Sequence, residues 1–212
     1  MTKYSEERDW RPALHELAQA RGFNPKAKKF WFLRHGESVG NATGIVQGQS
    51  CWGLSDLGFA QAEDVPQLFA GAPFQRIVSS DLKRVRQTIS PLLKTRNSAV
   101  EYTADFRECC FGGYEGEPIP KDLWFVTDRN TETLGVFVER ILAAAEKHLT
   151  DDHTLISAHG GVLHALYGAM GLTLDPWMRA NAVPIEFTRT KEGSWGFEAI
   201  RPTLQSRTTA VS

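Results

Sequence analysis

Three short stretches of this 212-residue chain bring together residue types that handle anions. Arg34-His35-Gly36 follows an apolar and aromatic run from Phe30 to Leu33, and Ser79 to Arg84 and His159-Gly160 follow two further apolar runs. Arginine offers a planar fork of donors suited to phosphate or carboxylate, and it stays charged at any working pH. Histidine serves as nucleophile, base or metal ligand near neutrality. Phosphoryl transfer uses such a collection, because its transition state spreads negative charge over three equatorial oxygens. Arg34 and Arg84 would clamp those oxygens, His159 would add a donor, and Asn41 would add an uncharged hydrogen bond. Gly36 and Gly160 would let the backbone approach closely. Gln47 sits in the same polar loop as Asn41, where it could reach a phosphate or face solvent.

These residues need a scaffold that brings distant parts of the chain to one place. The apolar runs read as strands at 29–34, 74–79 and 153–158, with a short one around 100–102. Helical periodicity marks 5–21, where Trp10, Leu14, Leu17 and Ala18 would share a face. It also marks a segment capped by Ser55, then 82–94, 131–149 and 161–170. Pro66 is expected to kink or end its helix, and Pro91 to limit the regular part of the helix at 82–94. Residues 35–53 read as a Gly-rich loop, 109–133 as a short irregular cap, and 203–212 as a frayed tail. A hairpin through Lys191-Glu192-Gly193 would join strands at 183–188 and 195–200. Alternating strands and helices predict a single-domain three-layer α/β/α fold spanning 1–212. Its sheet would be mostly parallel with an antiparallel edge strand, and 1–27 would form a helical extension. Ligands of such sheets bind beyond the carboxyl ends of the strands, where all three anion-handling stretches fall.

Composition narrows the function classes. The net charge of −1 gives no global attraction for nucleic acid or an anionic membrane, so neither is an expected partner. The charged N-terminal segment has no apolar core of a signal peptide, and 161–174 is too short and too broken to span a bilayer. Cys51, Cys109 and Cys110 are odd in number and lack zinc-site spacing. They point to a reducing, cytoplasmic setting with no metal. Oligomeric state has no signature in the chain.

Five blocks in order carry a family resemblance: Arg34-His-Gly-Glu-Ser-x-x-Asn41, Leu54-Ser-x-x-Gly-x-x-Gln-Ala62, Ser79-Ser-Asp-Leu-x-Arg-x-x-Gln-Thr88, Arg107-Glu-x-x-Phe-Gly-x-x-Glu-Gly116 and Ser157-x-His-Gly-Gly161. The chain thereby resembles the histidine phosphatase superfamily, which holds the cofactor-dependent phosphoglycerate mutases and their phosphatase relatives. The resemblance implies that His35 attacks phosphorus and carries a phosphohistidine. It implies that Arg34, Asn41 and Arg84 hold the phosphate and that His159 stabilises the developing charge. Glu108 would protonate the leaving alkoxide and then accept a proton from the attacking water. His35 must present an unprotonated nitrogen, so its other nitrogen is expected to donate to a backbone carbonyl.

The chain departs from the family in two places. Cys51-Trp52-Gly53 stands where relatives commonly carry Asp and often Pro. The stretch 117–133 is short, with Lys121 and Arg129 its only cations, where mutases carry an arginine-rich insertion. The expectation is therefore metal- and cofactor-independent hydrolysis of a small phosphate ester, with mutase transfer second and a catalytically weak phosphate-binding module third.

Overall fold

The computed structural model describes residues 9–200; residues 5–8 of the first expected helix and the expected frayed tail lie outside them. Six strands form one sheet: β1 (Lys29–Arg34), β2 (Arg76–Ser80), β3 (Ala99–Thr103), β4 (Thr154–Ala158), β5 (Pro184–Arg189) and β6 (Trp195–Ala199). Their order is β3-β2-β4-β1-β5-β6. The β3-β2-β4-β1 portion is parallel, whereas β5 runs antiparallel to both β1 and β6. The hairpin thus supplies the antiparallel edge that the sequence anticipates.

Six α-helices accompany the sheet: α1 (Trp10–Arg21), α2 (Val39–Thr43), α3 (Asp56–Leu68), α4 (Lys83–Thr95), α5 (Leu134–His148) and α6 (Gly160–Ala169). Side chains alternate across a strand with period two, so each strand feeds two cores. Phe30, Phe32, Val78 and Ile156 pack with α1, α5 and α6. Trp31, Leu33, Ile77 and Leu155 pack on the other face with Val65 and Phe69 from the α3 segment and Ile89 and Leu92 from α4. β1 and β4 are apolar on both faces because helices cover both, as buried parallel strands require.

Three local expectations are corrected. The loop 35–53 contains α2, nucleated by a capping box in which Ser38 and Asn41 satisfy each other's backbone N–H. Pro91 does not limit the regular part of α4, which runs through it to Thr95 with Pro91 buried; packing outweighs the lost hydrogen bond. In α1, Leu14 and Ala18 are buried but Leu17 is 40% exposed, so the inner face is narrower than the apolar pattern implies.

α1 lies against α6 at close range: a Cβ on Gly168 would meet the His15 ring, with the His15 Cγ at 3.0 Å. Between these helices His164 Nδ1 accepts from the Tyr167 hydroxyl and lies 3.4 Å from His15 Nε2. Burial, reinforced by the neighbouring His15, pushes His164 down to about 3. The folded protein therefore keeps His164 neutral while the unfolded chain protonates it below about pH 6.5. That stability is complete above about pH 6.5 and is lost as pH falls through that window, at about 1.4 kcal/mol per pH unit for one proton. Urea midpoints measured from pH 7 to 4.5 are expected to fall less steeply for His164→Asn than for the parent protein; parallel slopes would refute the assignment.

Candidate active site

Sheet register assembles the site. β1 and β4 pair with Arg34 opposite Ala158, so the next residues, His35 and His159, emerge side by side. The His35 N–H donates to the Ala158 carbonyl at 3.0 Å, and the two imidazole centroids stand 5.3 Å apart at 62°. On the far side of β4, β2 ends at Ser80, whose hydroxyl oxygen is 2.8 Å from His159 Nε2. Arg84 follows on the first turn of α4.

Both imidazoles are buried, at 3% exposure for His35 and none for His159. His35 Nδ1 lies 2.7 Å from the Gly36 carbonyl oxygen. A carbonyl only accepts, so Nδ1 carries the hydrogen and Nε2 keeps a free lone pair. This is the tautomer the sequence calls for. Burial, followed by the positive charges of Arg84 and Arg34, holds His35 well below its ordinary range. His159 is held down in the same way by burial and then by Arg84. Ser80 Oγ also accepts from the Leu82 N–H at 3.4 Å. Its own hydrogen is then free to point at His159 Nε2, which leaves the hydrogen of His159 on Nδ1, a buried atom without a partner.

Two cations flank His35 and donate to backbone carbonyls. Arg84, 1% exposed, donates to Gly48 O at 2.8 Å and Ser50 O at 3.3 Å. Arg34 donates to Arg179 O at 2.7 Å. Their Nε atoms are buried and unpartnered. Burial pushes the Arg84 guanidinium down to about 10 and lowers Arg34 as well, with the charge of Glu108 opposing both shifts. Carbonyls take up part of their donor capacity without cancelling their charge, so unpartnered N–H groups and positive potential remain for an anion.

Arg34, His35, Asn41, Gln47, Arg84 and Glu108 line one cleft of about 570 Å³. Glu108 is pinned between backbone donors, accepting from Cys109 N at 2.9 Å and Gly161 N at 3.0 Å. Gly161 lies in the first turn of α6. A Cβ on Gly161 would strike the Glu108 carboxylate and come within 2.7 Å of Trp124 Cη2; only glycine fits there. The Asn41 oxygen accepts from Ser38 N and Oγ, at 3.2 and 2.8 Å, which leaves its amide NH2 as the donor end. Gln47 Oε1 is buried without a partner. His159 and Gly160 lie behind this wall. A Cβ on Gly160 would stand 3.3 Å from Arg34 Cζ, so Gly160 serves the close packing of that guanidinium.

Other residues, given no role in the sequence reading, hold this arrangement. Gly36 N donates to Thr88 Oγ1, Glu37 N to Gln61 Oε1 and Leu54 N to Gln87 Oε1, at 2.9, 2.7 and 2.9 Å. Glu115 Oε1 accepts from Gln49 N at 2.9 Å and Phe111 N at 3.1 Å, fixing the loop whose carbonyls receive Arg84. All four polar partners stand in the five motif blocks, and that was their signal. Arg140 had none: from α5 it donates to the carbonyls of Asp105, Arg107 and Glu108 while pairing bidentately with Glu132. Asn181, which donates to His35 O at 2.9 Å, was equally silent. Among the described residues no group of three or more His, Cys, Asp or Glu is placed to hold a metal ion, and no helix is long and apolar enough to cross a membrane.

Comparison with known proteins agrees with this geometry. The sequence model of the histidine phosphatase superfamily (branch 1) matches residues 30–200. The adenosylcobalamin/alpha-ribazole phosphatase of Salmonella typhimurium is 27% identical over 184 residues, covering 79% of this chain and 88% of that protein. The crystal structure of a putative alpha-ribazole-5'-P phosphatase from Escherichia coli superposes with a TM-score of 0.68 at 19% identity, covering 83% of this chain and 97% of the other. A mycobacterial glucosyl-3-phosphoglycerate phosphatase superposes at 0.66 with 23% identity, covering 81% and 98%. At these identities the two superpositions bear on the fold.

Glu115 gives a test of the loop that receives Arg84. Glu115→Ala leaves two backbone N–H groups unpaired, at about 1–3 kcal/mol for a buried group, and frees the loop. Its dissociation constant for inorganic phosphate is expected to rise about tenfold by titration calorimetry. KM should rise more than kcat falls, and Glu115→Gln, which keeps an acceptor oxygen in place, should recover most of the loss. Unchanged phosphate affinity in Glu115→Ala would remove Glu115 from this role.

Proposed function

Because the chain belongs to the histidine phosphatase superfamily, branch 1, and is a phosphoric monoester hydrolase, we propose that it works without a metal through a phosphohistidine on His35. The observation that carries this reading is the His35 Nδ1 hydrogen bond to the Gly36 carbonyl between two buried guanidinium groups. It presents an unprotonated Nε2 to an anion that the same cations attract.

In the first step the Nε2 lone pair attacks phosphorus and the bond to the ester oxygen breaks. Arg34, Arg84 and the Asn41 amide hold the three spectator oxygens, with Gln47 reaching the same group when its amide presents NH2. His159 donates toward the phosphoryl group through Nδ1. Preorganised donors of this kind commonly contribute about 10²–10³-fold each. Glu108 protonates the departing alkoxide. Water then enters on the same side, gives its proton to Glu108 and displaces His35 from phosphorus. Splitting one displacement into two is the gain of the covalent route. Small phosphorylated alcohols suit a cleft of about 570 Å³, and the phosphatase relatives are named for such esters.

His35→Ala is expected to abolish turnover, while Glu108→Gln should keep a residual rate about 10²–10⁴-fold below the parent. Activity on a panel of phosphate esters should persist in EDTA. Acid-labile, base-stable label from a ³²P-ester should appear on the parent protein and not on His35→Ala. Full activity of His35→Ala, or complete loss in EDTA reversed by a divalent ion, would overturn the mechanism. Turnover of 3-phosphoglycerate that depends on added 2,3-bisphosphoglycerate would assign mutase transfer instead.

A further inference from the structure

The cleft extends past the phosphate-binding end, and its outer wall is built partly by α1, which precedes the family-matched residues 30–200. Trp10, the first residue of α1, stacks on Trp124 of the cap with ring centroids 4.1 Å apart and an interplanar angle of 16°. Trp124 is held edge-on by Phe111 at 5.0 Å and Phe137 at 5.7 Å, and Trp10 rests on the His164 ring at 4.9 Å. Both indoles are only partly buried and both line the cleft. Ile119 also lines the cleft, at its mouth, and is 57% exposed. Asp9, Arg11 and Lys121 also line the cleft, with the Arg11 guanidinium 5.3 Å from the Trp10 centroid; the aromatic pair and the isoleucine are the apolar part of this wall, which gains by covering with apolar area.

The position of this pair relative to Glu108 gives it meaning. The Cη2 edge of Trp124 and the Glu108 carboxylate crowd the same point above Gly161. If Glu108 protonates the ester oxygen, the carbon skeleton on that oxygen must begin beside Trp124 and continue towards Trp10. We propose that Trp10 and Trp124 form the leaving-group subsite, which selects phosphomonoesters of alcohols bearing a flat apolar ring system over those of small polyols. The inference rests on the proposed role of Glu108 only for its direction along the cleft. α1 is then a specificity element, and Trp10 discriminates by apolar contact of its cleft-lining edge with the alcohol portion and not by holding phosphate.

Two ligands and two esters test this in EDTA: inorganic phosphate and 1-naphthylmethylphosphonate by calorimetry, 1-naphthyl phosphate and glycerol 3-phosphate by turnover. The parent protein is expected to bind the naphthyl phosphonate about tenfold more tightly than phosphate. In Trp10→Ala that advantage should largely vanish, with KM for 1-naphthyl phosphate rising about tenfold relative to glycerol 3-phosphate. Trp10→Phe should recover much of it. Ile119→Ser, at an exposed site that folding tolerates, should reduce the same preference in the same direction. A naphthyl phosphonate that binds no more tightly than phosphate would overturn the proposal. So would Trp10→Ala and Ile119→Ser variants that leave the preference intact, or that weaken phosphate and phosphonate equally. Selective phosphonate binding without turnover of any ester would refute the phosphohistidine reading and leave the subsite standing.

Discussion

Burial of two guanidinium groups with no carboxylate in direct contact is the constraint on which the rest of this structure depends. Taking a cation out of water costs several kcal/mol even after relaxation. An ion pair would offset that cost but would also cancel the field. Arg84, 1% exposed, instead donates to the carbonyls of Gly48 and Ser50, and Arg34 to that of Arg179. Dipoles replace charges, and the site stays positive. The same two cations, together with burial, keep the His35 imidazole neutral. One arrangement thus attracts an anion and keeps the adjacent imidazole unprotonated.

Carbonyls stabilise a cation only if their loops are rigid, and this explains the remaining motif residues. Thr88, Gln61, Gln87 and Glu115 each accept from a backbone N–H in the segment from Gly36 to Leu54 or at its border with Phe111. Gly36 packs so closely on Gly58 that a Cβ would lie 2.7 Å from the Gly58 carbonyl oxygen. The conspicuous part of the sequence pattern is therefore mostly scaffolding for a backbone. Only a few of its members face the cleft. On the other side Arg140 gathers the carbonyls of Asp105, Arg107 and Glu108, anchored by Glu132.

This division explains what could be read from the sequence. β1 was legible at Lys29–Arg34 because an apolar run with a charged residue at each end has one solution in a covered parallel sheet. The convergence of Arg34, His35 and His159 followed from strand ends sharing an edge. α2 was hidden, because a five-residue helix makes no hydrophobic period and its capping box uses residues equally at home in a loop. The extent of α4 was legible past Pro91, but its regularity there was not, because local propensity ignores the burial of Pro91. Arg140, Asn181 and Arg179 act across 32 to 146 positions, two as donors to carbonyls and one through its own. Backbone partners of that kind carry no sequence signature at either end.

The cleft has two ends with different physics, and they divide the chemistry between them. In the proposed mechanism the contacts at the His35 end are charge-assisted and fixed, and every phosphomonoester would present the same group to them. Interactions common to all substrates cannot discriminate among them. On the proposed reading, discrimination would come from the opposite wall of the cleft, which is lined by residues of the cap and of a helix ahead of the family core. Strands from β1 to β4 hold the first end, where ångström-level placement matters. Segments between and before strands make the second, where size, flatness and polarity can vary without disturbing His35. α6 ties the two together: its N-terminal turn holds Glu108 through Gly161, and its middle turn supports Trp10 through His164.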